Sequence, residues 1–99
     1  MAKLVNKIIF INNRRTSMRL CLKEWEALSE ICHRENIARN KLIEIIEDKK
    51  DEELGLTYST RLFIVMYYRR LAAKLMKRQL LSRHNDYRRL TAILEDIAN

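Results

Sequence analysis

The chain has 99 residues, of which 47% are hydrophobic and 33% charged, and this balance excludes an intrinsically disordered protein. With one Gly and no Pro it lacks the turn-forming residues that an all-β fold needs, so helices are expected to dominate. The formal net charge of +7 favours a polyanionic partner, and no apolar run approaches the roughly 20 residues of a membrane-spanning helix.

The N-terminal part of the chain contains one predicted strand. Residues 1–13 form a basic lead-in with an apolar run at 8–11, and residues 12–15 are expected to form a turn or loop. Residues 16–22 then alternate in character with a period of two, which is typical of a β-strand. The apolar face of this strand carries Met18, Leu20 and Leu22, and the polar face carries Ser17, Arg19 and Cys21.

A strand that stands alone leaves its backbone N–H and C=O groups without partners. Two arrangements would satisfy these groups. The strand can form a hairpin with residues 8–11 around Asn12 and Asn13, or it can pair with the same strand of a second chain. Arg14 and Arg15 make the connection longer than the two residues of an ideal hairpin turn, and this disfavours the hairpin.

Apolar side chains at helical spacing predict four helices, at residues 24–34, 39–50, 60–81 and 86–97. Asn36 tolerates the left-handed conformation that ends a helix, whereas Ala38 stands at an N-cap position where it caps poorly. Gly55 marks a break, and Thr57 or Ser59 is the expected cap of the third helix. Residues 82–85 form a polar break before the fourth helix.

The two C-terminal helices differ in pattern. Residues 62–68 are apolar all round, so this part of the third helix is expected to be buried on several sides. The rest of that helix, residues 69–78, is basic and is interpreted as a solvated face, a second contact to DNA or a docking surface. The fourth helix places its apolar side chains on one face, at Leu90, Ile93, Leu94 and Ile97.

The positive charge is concentrated at both ends of the chain. Residues 1–22 carry +5 with no acidic residue, residues 23–56 carry −4, and residues 57–99 carry +6. A two-stranded ribbon fits the major groove of B-DNA, and a guanidinium can bond guanine O6 and N7 together. The outward strand residues Ser17, Arg19 and Cys21 are therefore candidates for contacts to base edges.

A second group of residues is expected to hold the phosphate backbone. The first backbone N–H groups of the second helix have no partner within that helix, and the helix dipole favours an anion there. Arg39, Asn40 and Lys41 lie at this helix start, and Arg14 and Arg15 precede the strand. Contacts of this kind position a protein on DNA without reading its sequence.

These residues resemble the ribbon-helix-helix superfamily. The similarity is greatest to a bacterial subfamily whose strand opens with RTS and whose first helix begins with a Trp followed by ALxEI. It covers roughly residues 15–70. The matching segments are RTSMRL at 15–20, EWEALSEI at 24–31, LIEII at 42–46, LTYSTRLF at 56–63 and YYR at 67–69. Two positions depart from the family pattern, because Asn36 replaces the usual Gly between the helices and Ala38 replaces the usual Ser or Thr cap.

The resemblance implies a mainly α fold with one short strand per chain, and a homodimer in which the two strands form an intermolecular antiparallel ribbon. We expect a basic lead-in at 1–13, a ribbon-helix-helix core at 14–54 and a helical extension at 55–99, of which residues 71–99 extend beyond the resemblance. The resemblance also implies a sequence-specific binder of double-stranded DNA that places the ribbon in the major groove, with a repressor-like or antitoxin-like role. We expect a transcriptional regulator, and higher oligomers on the DNA are left open. The expected dimer core consists of Met18, Leu20, Leu22, Trp25, Leu28, Leu42 and Ile46.

Other classes of protein are less compatible with the sequence. The chain has no Gly-rich phosphate loop, nucleophile elbow or paired-carboxylate motif, so we expect no enzyme. Cys21 and Cys32 form neither a CxxC pair nor a disulfide framework, so we expect reduced thiols, no metal or cofactor, and a cytoplasmic location. Two alternatives remain: an antitoxin or other protein-binding module that uses the C-terminal helices, and a membrane-surface protein that uses residues 69–78.

Overall fold

The computed structural model describes residues 3–78 and 87–98. Within these ranges the chain forms two strands followed by four helices. The elements are β1 (Leu4–Ile11), β2 (Arg14–Cys21), α1 (Leu22–Glu35), α2 (Arg39–Lys49), α3 (Leu56–Arg78) and α4 (Tyr87–Ala98). The predicted third helix extended to residue 81, and its last three positions, like the polar break predicted at 82–85, lie outside the described residues.

The chain contains two strands where one was predicted. β1 and β2 pair antiparallel from Leu4 opposite Cys21 to Ile11 opposite Arg14, so the connection is only Asn12 and Asn13. Both asparagines have positive φ, 51° and 65°, as the two central residues of a type I′ hairpin turn require. The prediction of a longer loop was wrong, because Arg14 and Arg15 belong to the strand. The prediction that β2 has no partner in its own chain was also wrong.

Pairing with β1 uses one edge of β2. Within the described residues the sheet has two strands, so the other edge of β2 has no strand beside it. The predicted pairing of this edge with a second chain stays a prediction. β2 also ends one residue earlier than expected. Leu22, assigned to the inward face of the strand, is instead the first residue of α1 and is 45% exposed, because the chain turns into the helix at Cys21.

The core lies between the inner face of the hairpin and the helices. Ile9 of β1 and Met18 and Leu20 of β2 are buried there. They form one cluster with buried side chains of three helices, namely Trp25, Leu28, Ile31, Leu42, Ile43, Ile46 and Ile64. Burial of an aliphatic or aromatic side chain contributes about 1.5–3 kcal/mol, so the strand alternation and the helix stripes together account for this cluster.

The junctions between helices follow the predicted cap chemistry in two places and depart from it in one. Asn36 takes the left-handed conformation, with φ and ψ both 52°, and ends α1. Ala38 is the N-cap of α2 and supplies no side-chain hydrogen bond. α3 begins at Leu56, because the Gly55 carbonyl accepts a hydrogen bond from the Ser59 N–H at 3.0 Å. Thr57 and Ser59 therefore lie inside the helix, and neither residue is its cap.

A polar seam joins α3 to α1. The Arg61 guanidinium lies 2.9 Å from the Glu24 carboxylate, and the Tyr68 hydroxyl donates to the Glu30 carboxylate at 2.7 Å. The Tyr67 hydroxyl donates to a carboxylate oxygen of Glu35. Desolvation and the hydrogen bond to Glu30 raise the pKa of Tyr68 to about 12, so this tyrosine stays neutral at physiological pH.

The segment 62–68 is less buried than its apolar composition predicted. Ile64 is buried, and Phe63, Tyr67 and Tyr68 are partly buried. Leu62, Val65 and Met66 are exposed, because α1, α2 and the hairpin cover only one side of α3. The chain therefore carries apolar surface on the opposite side of this helix.

α4 is the amphipathic helix that its sequence predicted. Its apolar stripe is uncovered: Leu90, Ile93, Leu94 and Ile97 are between 52% and 66% exposed. The Lys23 ammonium lies 3.6 Å from the Asp96 carboxylate, an exposed pair that contributes little to stability. None of the helices in the described ranges is long and apolar enough to cross a lipid bilayer.

The hairpin turn provides a test of the intramolecular pairing. In Asn13→Val a β-branched side chain occupies a position with a φ of 65°, which opposes the turn. We expect the free energy of unfolding, measured by urea denaturation, to fall by about 1–2 kcal/mol. Asn13→Gly is the matched control and should be at least as stable as wild type, since Gly adopts positive φ without strain. An Asn13→Val variant with wild-type stability would contradict this turn.

Candidate nucleic-acid interface

The hairpin has one buried face and one exposed face. Alternation along both strands turns Ile9, Met18 and Leu20 into the core, so the intervening side chains point away from it. We call this second surface the outward face. It consists of the exposed residues Leu4, Asn6, Ile8 and Phe10 from β1 and Arg15, Ser17 and Arg19 from β2.

Two of the three predicted base-contacting residues lie together in the middle of the outward face. Arg19 stands opposite Asn6, and Ser17 stands opposite Ile8. Both Ser17 and Arg19 are exposed. Neighbouring strands lie roughly 5 Å apart, so a hairpin of this width can enter the major groove of B-DNA, which is about 12 Å wide.

The third predicted residue, Cys21, has a different environment. It is the last residue of β2 and the N-cap of α1, where its backbone N–H donates to the Glu24 carboxylate at 2.7 Å. Its side chain is partly buried. Desolvation and the adjacent Glu24 carboxylate raise the pKa of the Cys21 thiol, so the group remains neutral and weakly polar at physiological pH. Cys21 lies at the end of β2, next to Arg19 in the row of alternate residues that also contains Ser17.

The two arginines after the turn lie on opposite sides of the hairpin. Arg15 belongs to the outward face, opposite Phe10. Arg14, paired with Ile11 beside the turn, lies on the other side, where it lines a cleft with Leu56 and Thr57 at the start of α3. Both side chains are exposed. They therefore place positive charge on both sides of the hairpin tip.

The start of α2 forms a second positively charged region. Arg39 is its first residue, and the Arg39 guanidinium carbon lies 5.4 Å from the centroid of the Trp25 ring. The Lys7 ammonium also lies 5.4 Å from this centroid. Trp25 is buried, and its indole N–H donates to the Val5 carbonyl at 2.8 Å. One aromatic ring thus holds a cation from α2 and a cation from β1 in the same region.

The backbone at this helix start is suited to an anion. The N-cap Ala38 has no side-chain acceptor for the first N–H groups of α2. Lys41 is exposed and Asn40 is partly exposed. Among the described residues, the side-chain oxygen of Asn40 is buried without a hydrogen-bond partner, and the amide nitrogen of the same side chain is a hydrogen-bond donor.

Most of the predicted dimer-core residues are buried within a single chain. Met18, Leu20, Trp25 and Leu28 are buried between the hairpin and α1, and Leu42 and Ile46 complete the core from α2. Leu22 is the exception, since it is exposed at the start of α1. These side chains therefore stabilise the fold of one chain, whatever further contact a second chain makes.

A family model of the ribbon-helix-helix domain matches residues 4–68, from the beginning of β1 to Tyr68 in α3. This chain belongs to the ribbon-helix-helix family. Ribbon-helix-helix domains generally bind DNA and dimerise, and they occur in transcription regulators and antitoxins. No curated protein and no solved structure matches the chain. The match confirms the resemblance recognised in the sequence and extends it to β1, which that resemblance had not included.

Sequence reasoning missed several residues of this ribbon-helix-helix domain, all of them in β1. Asn6, Ile8 and Phe10 lie on the outward face, and Lys7 contacts the Trp25 ring, as Arg39 does. Their alternation was obscured because Ile8, Ile9, Phe10 and Ile11 are all apolar. The signal that could have revealed the strand is the Asn12-Asn13 pair, since Asn tolerates the positive φ of a two-residue hairpin turn.

The described part of this domain shows no arrangement for metal chemistry. Across residues 3–78 and 87–98, no group of three or more His, Cys, Asp or Glu side chains is placed to hold a metal ion. The functional chemistry that the fold presents is hydrogen bonding and positive charge on the hairpin and at the start of α2.

Proposed function

We propose that this ribbon-helix-helix domain binds double-stranded DNA sequence-specifically by inserting the outward face of the hairpin into the major groove. The observation that carries this proposal is the exposed row Arg15, Ser17 and Arg19 on a two-stranded ribbon. Residues 1–22 contain five basic residues and no acid, so no carboxylate within the hairpin opposes the approach of DNA. Arg19 bonds a guanine edge, Ser17 bonds a neighbouring base, and Cys21 contributes a small contact at the end of the row.

The phosphate backbone is held on both sides of this ribbon. Arg14 and Arg15 at the hairpin tip contact phosphates that flank the bases. Arg39, Asn40 and Lys41, together with the backbone N–H groups at the start of α2, bind a further phosphate. Lys7 adds a further positive charge to this region, because its ammonium lies 5.4 Å from the centroid of the Trp25 ring that Arg39 also contacts.

We propose that the domain acts as a homodimer. Ribbon-helix-helix domains generally dimerise, and a twofold axis would place two hairpins on a roughly palindromic DNA site. Because most of the predicted dimer-core side chains are already buried within one chain, the dimer needs additional apolar surface. Exposed Leu22 on α1 and Leu62 and Val65 on α3 can provide it. The biological role that fits best is a cytoplasmic transcriptional repressor.

Selection of bound duplexes from a random pool tests base recognition. We expect wild type to enrich a short, roughly palindromic motif and Arg19→Ala to lose preference for one guanine of each half-site. The loss should be on the order of 1–3 kcal/mol per base contact. Arg69→Ala, which removes an exposed arginine of α3 outside the hairpin, is the matched control and should keep the motif. Retention of the full motif by Arg19→Ala would refute base reading by β2.

The dependence of affinity on salt tests the phosphate contacts. Arg39→Ala should weaken binding to cognate and unrelated duplexes by similar factors, because a phosphate contact carries no sequence information. The slope of log affinity against log salt concentration should decrease in magnitude by about 0.9. Lys49→Ala, which removes an exposed lysine at the other end of α2, should leave the slope unchanged. Equal slopes for Arg39→Ala and wild type would exclude a phosphate at this helix start.

A second candidate function, an antitoxin-like module that binds a protein partner, is favoured by the uncovered apolar stripe of α4. Four apolar side chains with spacing i, i+3, i+4 and i+7 form the surface with which amphipathic helices bind grooves. We expect Leu94→Glu to abolish co-purification of a partner from the native cell, whereas Ala92→Glu on the opposite side of α4 should preserve it. Neither variant should affect DNA binding. Absence of any partner that depends on Leu94 would rule out this function for α4.

A further inference from the structure

The outward face of β1 has a chemistry different from that of β2. Leu4, Ile8 and Phe10 are 52%, 46% and 49% exposed, although a solvated strand face is usually polar. Exposed apolar side chains that form a contiguous row mark a binding surface more often than isolated ones. β1 therefore presents a row that is expected to contact another molecule.

The pairing of the strands places this row directly beside the polar row of β2. Asn6 stands opposite Arg19, Ile8 opposite Ser17, and Phe10 opposite Arg15. Residues paired in this way have Cβ atoms about 4.5–5.5 Å apart, so a molecule contacted by one side chain is within reach of the other. Whatever binds Arg19 and Ser17 also meets Asn6 and Ile8.

The side chains of β1 have specific counterparts in the major groove. The amide of an asparagine can accept from adenine N6 and donate to adenine N7, as a bidentate pair. Apolar side chains contact the C5-methyl group of thymine, which is the main apolar group of the major groove. Side chains two residues apart on a strand are separated by about 6.6 Å, close to the rise of two base pairs.

The surrounding charge favours DNA over an apolar protein surface as the partner of this row. Arg15 and Arg19 flank it on the neighbouring strand, and both are exposed. A protein interface that covered Ile8 and Phe10 would also have to desolvate these two guanidinium groups. The major groove accommodates both kinds of side chain, because it offers thymine methyl groups between polar base edges and phosphates.

We propose that the outward face of β1 is a second base-reading row, in which Asn6 binds an adenine adjacent to the base contacted by Arg19, and Ile8 and Phe10 contact thymine methyl groups. This inference rests on the proposed function, since it requires that the hairpin enters the major groove. It predicts that both strands of the hairpin read bases within one chain, and that each half-site contains adenine or thymine beside the guanine read by Arg19.

Selection from a random pool with three variants tests the role of Asn6. Asn6→Ala should lose the adenine preference at one position by roughly 5- to 150-fold and keep the guanine preference that Arg19→Ala loses. Asn6→Gln should retain the adenine preference, because glutamine forms the same bidentate pair. Circular dichroism of each variant verifies that the hairpin is intact. If Asn6→Ala enriches the wild-type motif at full strength, the role of Asn6 is overturned.

Chemically altered duplexes test the apolar contacts. Replacement of thymine by deoxyuridine removes only the methyl group, and it should weaken wild-type binding several-fold at the positions that Ile8 and Phe10 contact. The double variant Ile8→Ala/Phe10→Ala should bind both duplexes equally, whereas Met76→Ala, an exposed position near the end of α3, should discriminate like wild type.

The outcomes separate this inference from the function on which it rests. If Asn6→Ala and Ile8→Ala/Phe10→Ala enrich the same motif as wild type, the bases are read by β2 and not by the outward row of β1. If Ile8→Ala/Phe10→Ala keeps the motif and its thymine-methyl dependence but changes the oligomeric state, the apolar row is an interface between chains and the inference is overturned. If wild type enriches no motif, the proposed function fails and the inference fails with it.

Discussion

The indole N–H of Trp25 donates a hydrogen bond to the Val5 carbonyl across 2.8 Å and thereby joins α1 to β1. The same ring lies 5.4 Å from the cationic groups of Lys7 and Arg39 and is almost completely buried. Trp25 therefore fixes three parts of the molecule relative to one another: the hairpin, the first helix and the start of the second helix. The spacing between the outward face of the hairpin and the start of α2 depends on this arrangement.

The hairpin supplies a paired strand for β2 within one chain, where a strand from a second chain would otherwise be needed. β1 supplies the partner for the backbone groups along one edge of β2, and the Asn12-Asn13 turn provides the positive φ values that close the pair. A single chain consequently presents a complete two-stranded ribbon.

The acidic and basic side chains of the domain lie in different places: carboxylates of α1 contact α3, whereas the outward face of the hairpin is basic and neutral. Three of the four acidic residues of α1 contact α3: Glu24, Glu30 and Glu35 bind Arg61, Tyr68 and Tyr67. This seam keeps α3 against α1, and the Glu24 carboxylate also accepts from the Cys21 N–H at the end of β2. The outward face retains its basic and neutral character, so the seam stabilises the fold without opposing the approach of a polyanion.

Local patterns in the sequence predicted the helices and the strand β2, and the alternation within β2 placed Ser17 and Arg19 together on its exposed face. These features depend on periodicity and on neighbouring residues, and the same reasoning recognised Asn36 as a helix end and Ala38 as a weak cap. The family resemblance predicted a two-stranded ribbon, but it placed the partner strand of β2 in a second chain. Residues 8–11 were considered as a hairpin partner for β2, but the hairpin was disfavoured because Arg14 and Arg15 were counted as part of the loop.

Tertiary structure alone decided which strand pairs with β2, which side of α3 is covered, and where Leu22 lies. Each of these depends on residues far apart in the chain, as in the pairing of Asn6 with Arg19 and the contact of Trp25 with Arg39. The apolar run at 62–68 shows what composition cannot predict. Its composition indicated burial on several sides, whereas the neighbouring elements cover only one side. A sequence records how apolar a segment is, but only the packing of the other elements determines which of its faces meets water.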